Sequence, residues 1–173
     1  MRHADPVAWN RSASPSALLD VQDVTHAATF EAVYAREYVR SVRTAALVIG
    51  SQQVAEEVVQ EAFVQLLRRW EAIERPEGWL RTAVLNGCRS WQRRHILERQ
   101  RRPRPDLVTD DPDGLAVREA LRVLSPRQRA AVVLRYFDDL SEADIAEALG
   151  CRPGTVKSLL ARSMPKLEEA LGD

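Results

Sequence analysis

Three groups of side chains in this sequence sit at spacings that could do chemistry: a run of glutamates, a pair of cysteines and a crowd of arginines. Glu56, Glu57 and Glu61 fall close together on one helical stretch. A di-metal centre uses glutamates in that manner, but it also needs Glu-x-x-His pairs on partner helices. His3, His26 and His95 are scattered and supply none. Cys88 and Cys151 stand far apart, without a CxxC spacing or a nearby histidine pair, so they read as small buried residues in a reducing cytosol. No glycine-rich phosphate loop, Ser-His-Asp set or Cys-His set is present. The expectation is a chain without metal, cofactor or catalysis, whose carboxylates form a solvated or partner-facing acidic face.

The arginines point elsewhere. The 173 residues carry 25 Lys and Arg against 25 Asp and Glu, so net charge offers nucleic acid no attraction. The bases are nevertheless segregated. Arg89, Arg93, Arg94, Arg99, Arg101, Arg102 and Arg104 crowd one stretch, and Asp106, Asp110, Asp111 and Asp113 follow directly. A second basic group lies within Leu140–Leu160, LSEADIAEALGCRPGTVKSLL, which has the spacing of a helix-turn-helix. Ser141 and Asp144 form a capping-box variant. Ile145, Ala146 and Leu149 share one face, Gly150 supplies a left-handed stop, and Pro153 opens a second helix. Ala146 is small where two steeply crossed helices must approach. Arg152, Thr155, Lys157 and Ser158 face away from the inward stripe of Val156 and Leu160, and the amino-terminal residues of such a helix meet base edges in the major groove. Arg162 and Lys166 would reach backbone phosphates, with Arg127 and Arg129 as further candidates.

The elements that must position these residues are all helical. Residues 1–29 carry Pro6, Ser12, Ser14, Pro15 and Ser16 with little periodicity, and a disordered lead-in is expected there. Phe30, Tyr34, Tyr38, Val42, Ala45 and Ile49 then recur at helical spacing up to Gly50. Ser51 caps a second helix with Val54, Val58, Ala62 and Leu66 on one edge, broadened by Val59 and Phe63. Pro76 and Gly78 place a loop at Trp70–Glu77, and a third helix runs from about Gly78 into the arginines, burying Leu80, Val84, Cys88 and Trp91. Its other side presents Asn86, Arg89, Ser90 and Arg93. Residues 103–115 combine proline, aspartate and glycine as a flexible linker. In the last segment, Ala120, Leu121 and Leu124 mark a short helix, and Ser125-Pro126 restarts one whose buried side is Ala130, Val133, Leu134 and Phe137. Asp138-Asp139 ends that helix before the helix-turn-helix. The fold class is all-α: a three-helix domain over 30–102 and a four-helix domain over 116–173, either packed together or held apart. No apolar run approaches the roughly 18 residues of a membrane helix, and the start lacks the apolar core of a signal peptide. A cytoplasmic location with no membrane insertion is expected.

With both halves read, the chain resembles the extracytoplasmic-function (ECF) group of bacterial RNA polymerase sigma factors. The resemblance covers about Phe30 to Leu171. It is carried by LSPRQRAAVVLRYFDDLSEADIAEALGCRPGTVKSLLAR, similar to the family's fourth region, and by AEEVVQEAFVQLLRRW with WLRTAVLNGCRSWQRR, similar to its second. It implies a protein that binds core polymerase, recognises two promoter elements and directs initiation. Glu56, Glu57, Val58, Gln60 and Glu61 match the segment that docks on the polymerase clamp helices. Asn86, Arg89, Ser90, Arg93 and Arg94 match the part that holds the minus-ten element, and the loop before them matches the segment that captures a flipped base. Arg152, Thr155, Lys157, Ser158 and Arg162 would read the minus-thirty-five element while that domain docks on the polymerase flap. An anti-sigma factor is a further implied partner. The chain departs from the family at Leu159, where arginine is usual, at Ser90, where aspartate is frequent, and at Pro165, for which a kink or end near Ser163 is expected. A stand-alone helix-turn-helix regulator is the alternative, and it would bind duplex DNA without polymerase.

Overall fold

The computed structural model describes residues 29–99 and 112–172. Among them are seven α-helices and no strand: α1 Phe30–Ile49, α2 Gln52–Arg68, α3 Pro76–Arg99, α4 Pro112–Arg122, α5 Pro126–Tyr136, α6 Glu142–Leu149 and α7 Pro153–Leu171. The expected lead-in over residues 1–28 and the linker over 103–111 lie outside the described residues.

Local chemistry fixes the boundaries. Thr29 caps α1 by accepting from the Ala32 amide, and Gly50 ends it at φ 85°. Ser51 caps α2, and Gly150 ends α6 at φ 60°, both in the conformations their residue types favour. Ser125 and Gln128 complete a full capping box at the start of α5. The box expected at Ser141 is only half formed. Its hydroxyl accepts from the Asp144 amide, but the Asp144 carboxylate takes the Ser141 hydroxyl at 2.6 Å instead of a backbone amide.

Three other boundaries differ from the sequence expectation. α3 starts at Pro76, ahead of Gly78, because proline suits a first turn; the loop before it holds a 3-10 turn at Trp70–Ala72. α4 starts at Pro112 for the same reason, inside the stretch read as linker. α7 does not end near Ser163 but continues through Pro165 to Leu171. Pro165 and Ala161 are both exposed, so water can serve the carbonyl that proline deprives of its donor.

The first three helices pack around Val33, Ala45, Val59, Phe63, Leu66, Leu80, Val84 and Cys88. An aromatic group of Phe30, Tyr34, Tyr38, Phe63 and Trp70 closes one end, with Tyr34 and Phe63 centroids 4.8 Å apart. Helices α4 to α7 surround Leu121, Leu134, Ile145, Leu149 and Val156. The two halves are not separate bodies here. α5 lies on α1, α6 lies on α3, and the buried apolar side chains form one continuous cluster across both. A four-helix unit this small is near the lower limit for a self-sufficient core, so burial against a neighbour adds what it lacks.

Phe137 corrects the expected buried side of α5. It is 51% exposed, while the next residue, Asp138, is buried. α5 ends at Tyr136, and the Asp138 amide bonds to the Val133 carbonyl instead of that of Leu134, so the helical period no longer places these side chains; Asp139 then turns the chain at φ 53°, a conformation aspartate tolerates.

Candidate nucleic-acid interface

The first basic face sits at the start of α7. Val156 and Leu160 are buried against the bundle, and this fixes Arg152, Thr155, Lys157, Ser158 and Arg162 on the exposed side. Arg152 occupies the N-cap without a side-chain capping bond, since a guanidinium has no acceptor to offer, and it is exposed. The Ser158 hydroxyl donates to the Gly154 carbonyl at 3.0 Å and can still accept. Leu159 is half-buried and packs on the core. The arginine usual at this position would therefore have had to leave an apolar contact to reach DNA.

Two neighbouring candidates are otherwise engaged. Arg129 donates to the carbonyls of Leu121 at 2.8 Å and Val48 at 3.3 Å, and to those of Arg122 and Leu124. Burial, with Arg122 nearby, pushes its guanidinium below the ordinary arginine value. It closes the exposed carbonyl ends of α1 and α4, so it is not a phosphate contact. Lys166 points to the Gln128 side chain at 3.4 Å, whereas Arg127 is exposed.

The second face is divided. Asn86, Arg93 and Arg94 are exposed on α3, while Arg89 and Ser90 are half-buried. Arg93 donates to the Ser90 hydroxyl at 3.4 Å. Arg89 instead reaches the carboxy-terminal half and donates to the Leu149 carbonyl at 3.3 Å, at the end of α6. Trp91 and His95 stack with centroids 4.4 Å apart.

Between α2 and α3 runs a groove of about 530 Å³ that brings two predicted sites together. Glu57, Val58 and Glu61 form one wall; Asn86, Ser90, Trp91 and Arg94 form the other. Glu57 and Glu61 face Arg94 across the groove, and this asymmetry pushes a phosphate backbone toward the α3 side. Glu57, Gln60 and Glu61 are exposed; Glu56 is half-buried and accepts from Gln52 at 2.9 Å. Val58 is turned toward α3, where an added Cβ on Gly87 would lie 2.6 Å from Val58 Cγ1. Gly87 is thus what lets the two walls approach.

A second cavity, about 650 Å³, lies under the loop from Arg69 to Arg75. Trp79 and Thr82 form its floor, and Glu147 of α6 stands at its rim, paired with Arg75 at 3.1 Å. Sequence reasoning missed Arg75 and Glu147, and also Asp138. The Asp138 carboxylate accepts from Thr44 at 2.9 and 3.0 Å and from Arg40 at 3.2 Å. Thr44 and Asp138 are 94 positions apart in sequence, and no local spacing could have announced the pair. Among the described residues, no group of His, Cys, Asp and Glu side chains is placed to hold a metal ion, and no helix is long and apolar enough to cross a membrane.

Comparison with known proteins agrees with this layout. Residues 33–96 match the family model described as Sigma-70 region 2, and residues 114–167 match Sigma-70, region 4. The chain is 33% identical over 149 residues to the RNA polymerase sigma-E factor of Streptomyces coelicolor, covering 78% of this chain and 84% of that protein. It is 30% identical over 161 residues to the ECF RNA polymerase sigma factor SigM of Mycobacterium tuberculosis, covering 83% and 77%. Among solved structures, the sigma factor RpoE of Bartonella quintana, crystallised with the anti-sigma factor NepR, superposes with a TM-score of 0.74 at 25% identity over 84% of this chain and 98% of that one.

Proposed function

Because this chain belongs to the extracytoplasmic-function group of bacterial RNA polymerase sigma factors, we propose a division of labour among the surfaces that serve its promoter-recognising function. The α7 face of Arg152, Thr155, Lys157, Ser158 and Arg162 reads the minus-thirty-five element. Asn86, Ser90 and Arg94 on the α3 wall of the groove, with Arg89 and Arg93 elsewhere on the same helix, hold the minus-ten strand. The loop cavity takes an extruded base, whose unpairing costs a few kcal/mol and is offset by pocket contacts. Glu56, Glu57, Val58, Gln60 and Glu61 on α2 dock on the polymerase clamp helices, while the carboxy-terminal half engages the flap.

In this reading the protein supplies specificity and leaves catalysis to the polymerase. It works in the cytoplasm, and an anti-sigma protein is a natural regulator. The observation that carries it is the pairing, in one chain, of an exposed helix that follows a helix-turn-helix spacing with a groove whose acidic α2 wall faces Asn86, Ser90 and Arg94 on α3. A stand-alone regulator needs the first but not the second.

Run-off transcription tests the proposal: purified core polymerase, this chain and a library of genomic promoter fragments. The expected result is a restricted set of transcripts that require both protein and core. Duplex binding at an operator without polymerase, and no transcripts with it, would favour the stand-alone regulator.

A further inference from the structure

Trp91 and His95 sit on α3 among the residues assigned to the minus-ten strand, and the proposed division of labour gives neither of them a task. The helical pattern expects Trp91 to be buried with Leu80, Val84 and Cys88. Those three are fully buried, whereas Trp91 is only half-buried. Part of the indole packs on the core. The rest lines the groove between α2 and α3, next to Ser90 and Arg94.

His95 lies one helical turn further on, also half-buried. Its ring stacks on the indole with centroids 4.4 Å apart and planes 16° apart. The imidazole stands outside the groove that the indole lines. It therefore covers the indole from without and leaves the side toward the groove open. A flat partner of this kind fixes the orientation of an aromatic ring without putting a side chain in the groove. In front of the indole the floor is low, because Ala83, Gly87 and Ser90 carry small side chains or none.

An open indole at the lip of a groove beside an exposed arginine suits one class of ligand. Every nucleobase has a flat π face, so an unpaired base can stack there whatever its identity. Arg94 on the same wall supplies charge for the adjoining phosphate. Paired bases inside a duplex are already stacked on one another and have no face to offer.

We propose that Trp91 stacks on an unpaired base of the minus-ten strand, and that His95 is the positioning residue that holds the indole toward the groove. The inference rests on the assignment of the α3 wall to that strand. It adds a grip that tells a single strand from a duplex, which phosphate contacts alone do not. The stack forms only once the strand is free, so it favours the opened promoter over the closed one.

Two fluorescent oligomers of equal length and charge test it on the full chain: oligothymidylate, and the same backbone with every base replaced by an abasic tetrahydrofuran. The unmodified chain should bind the base-bearing oligomer about tenfold more tightly. Trp91→Leu keeps an apolar side chain for the core and should lose most of that ratio; Trp91→Phe should keep it. His95→Ala should lower the ratio severalfold, and His95→Phe should restore it. Both oligomers meet the same protein, so any fraction that fails to fold cancels. An intact ratio in Trp91→Leu, with affinity for both oligomers reduced alike, is what a purely structural tryptophan gives and would overturn the proposal. So would the absence of any preference in the unmodified chain.

A second measurement puts the stack on a promoter. On a fragment selected by run-off transcription with core polymerase, single abasic sites are walked through the minus-ten nontemplate strand. One position should weaken initiation by the unmodified chain and be nearly silent for Trp91→Leu. Equal sensitivity of the two proteins at every position would overturn the stack on that strand. A base preference that depends on Trp91 in a chain that directs no transcription would instead remove the minus-ten assignment and keep the stacking site.

Discussion

The proposed recognition face on α7 and the proposed strand-binding face on α3 are made of similar side chains, yet they stand in opposite conditions. Every predicted contact on α7 is exposed, and the helix is fixed by its own inward stripe of Val156 and Leu160. On α3, Arg89 and Ser90 are half-buried, and the groove that Ser90 borders is shared with the acidic wall of α2. In the proposed division of labour one helix displays the duplex reader, whereas the single strand is held by two walls and a loop.

That comparison can be broken at several points. The largest effect should come from the acidic wall. Glu57→Lys with Glu61→Lys is expected to weaken association with core polymerase by about tenfold or more, since like-charge juxtaposition costs several kcal/mol. Full core affinity in a pull-down titration would remove α2 from the docking surface. Next comes the duplex reader. Lys157→Ala with Arg162→Ala should cut initiation roughly tenfold at promoters that need the upstream element, from about 1–3 kcal/mol of lost contact. An unchanged promoter profile would leave α7 without its assigned role.

The walls of the groove can also be pushed apart. Gly87→Ala forces a methyl group toward Val58 Cγ1, at 2.6 Å in the present backbone. Overpacking of this kind costs about 1–3 kcal/mol, visible as a lower midpoint in urea, with Gly87→Ser at least as damaging. A neutral result would mean that α2 yields easily. The smallest effect is chemical. Burial pushes the Cys88 thiol up to about 12, while Cys151 is only partly covered. Alkylation of the native protein at pH 8 should therefore give one adduct, on Cys151, and mass spectrometry would show whether Cys88 reacts too.

Much of this layout was legible because its causes are local. Gly50, Ser51, Ser125, Gly150 and Pro153 act through backbone groups three or four residues away, and each marks a boundary where its chemistry requires one. The recognition helix was legible for the same reason. Its outward face follows from where its apolar residues fall, and the helix-turn-helix spacing needs no distant partner.

What could not be read is what depends on a distant partner. Asp138 looked like a helix breaker, and it is one, but its burial is set by Thr44 and Arg40 on a helix far earlier in the chain. Arg129 looked like a phosphate contact, because nothing local reveals that the end of α1 lies within its reach. Pro165 looked like a terminus, because the rule against interior proline assumes a carbonyl left dry, and here that side of the helix faces solvent. Phe137 was placed inside by periodicity, which stops applying where α5 ends at Tyr136.

This chain is expected to open a promoter only together with core polymerase, and permanganate footprinting reads that most directly. On a promoter selected with this chain and core polymerase, thymines in the minus-ten element should become reactive only when both are present, alongside protection of the minus-thirty-five duplex. Protection of a duplex site by the chain alone, with no thymine reactivity after core polymerase is added, would contradict it.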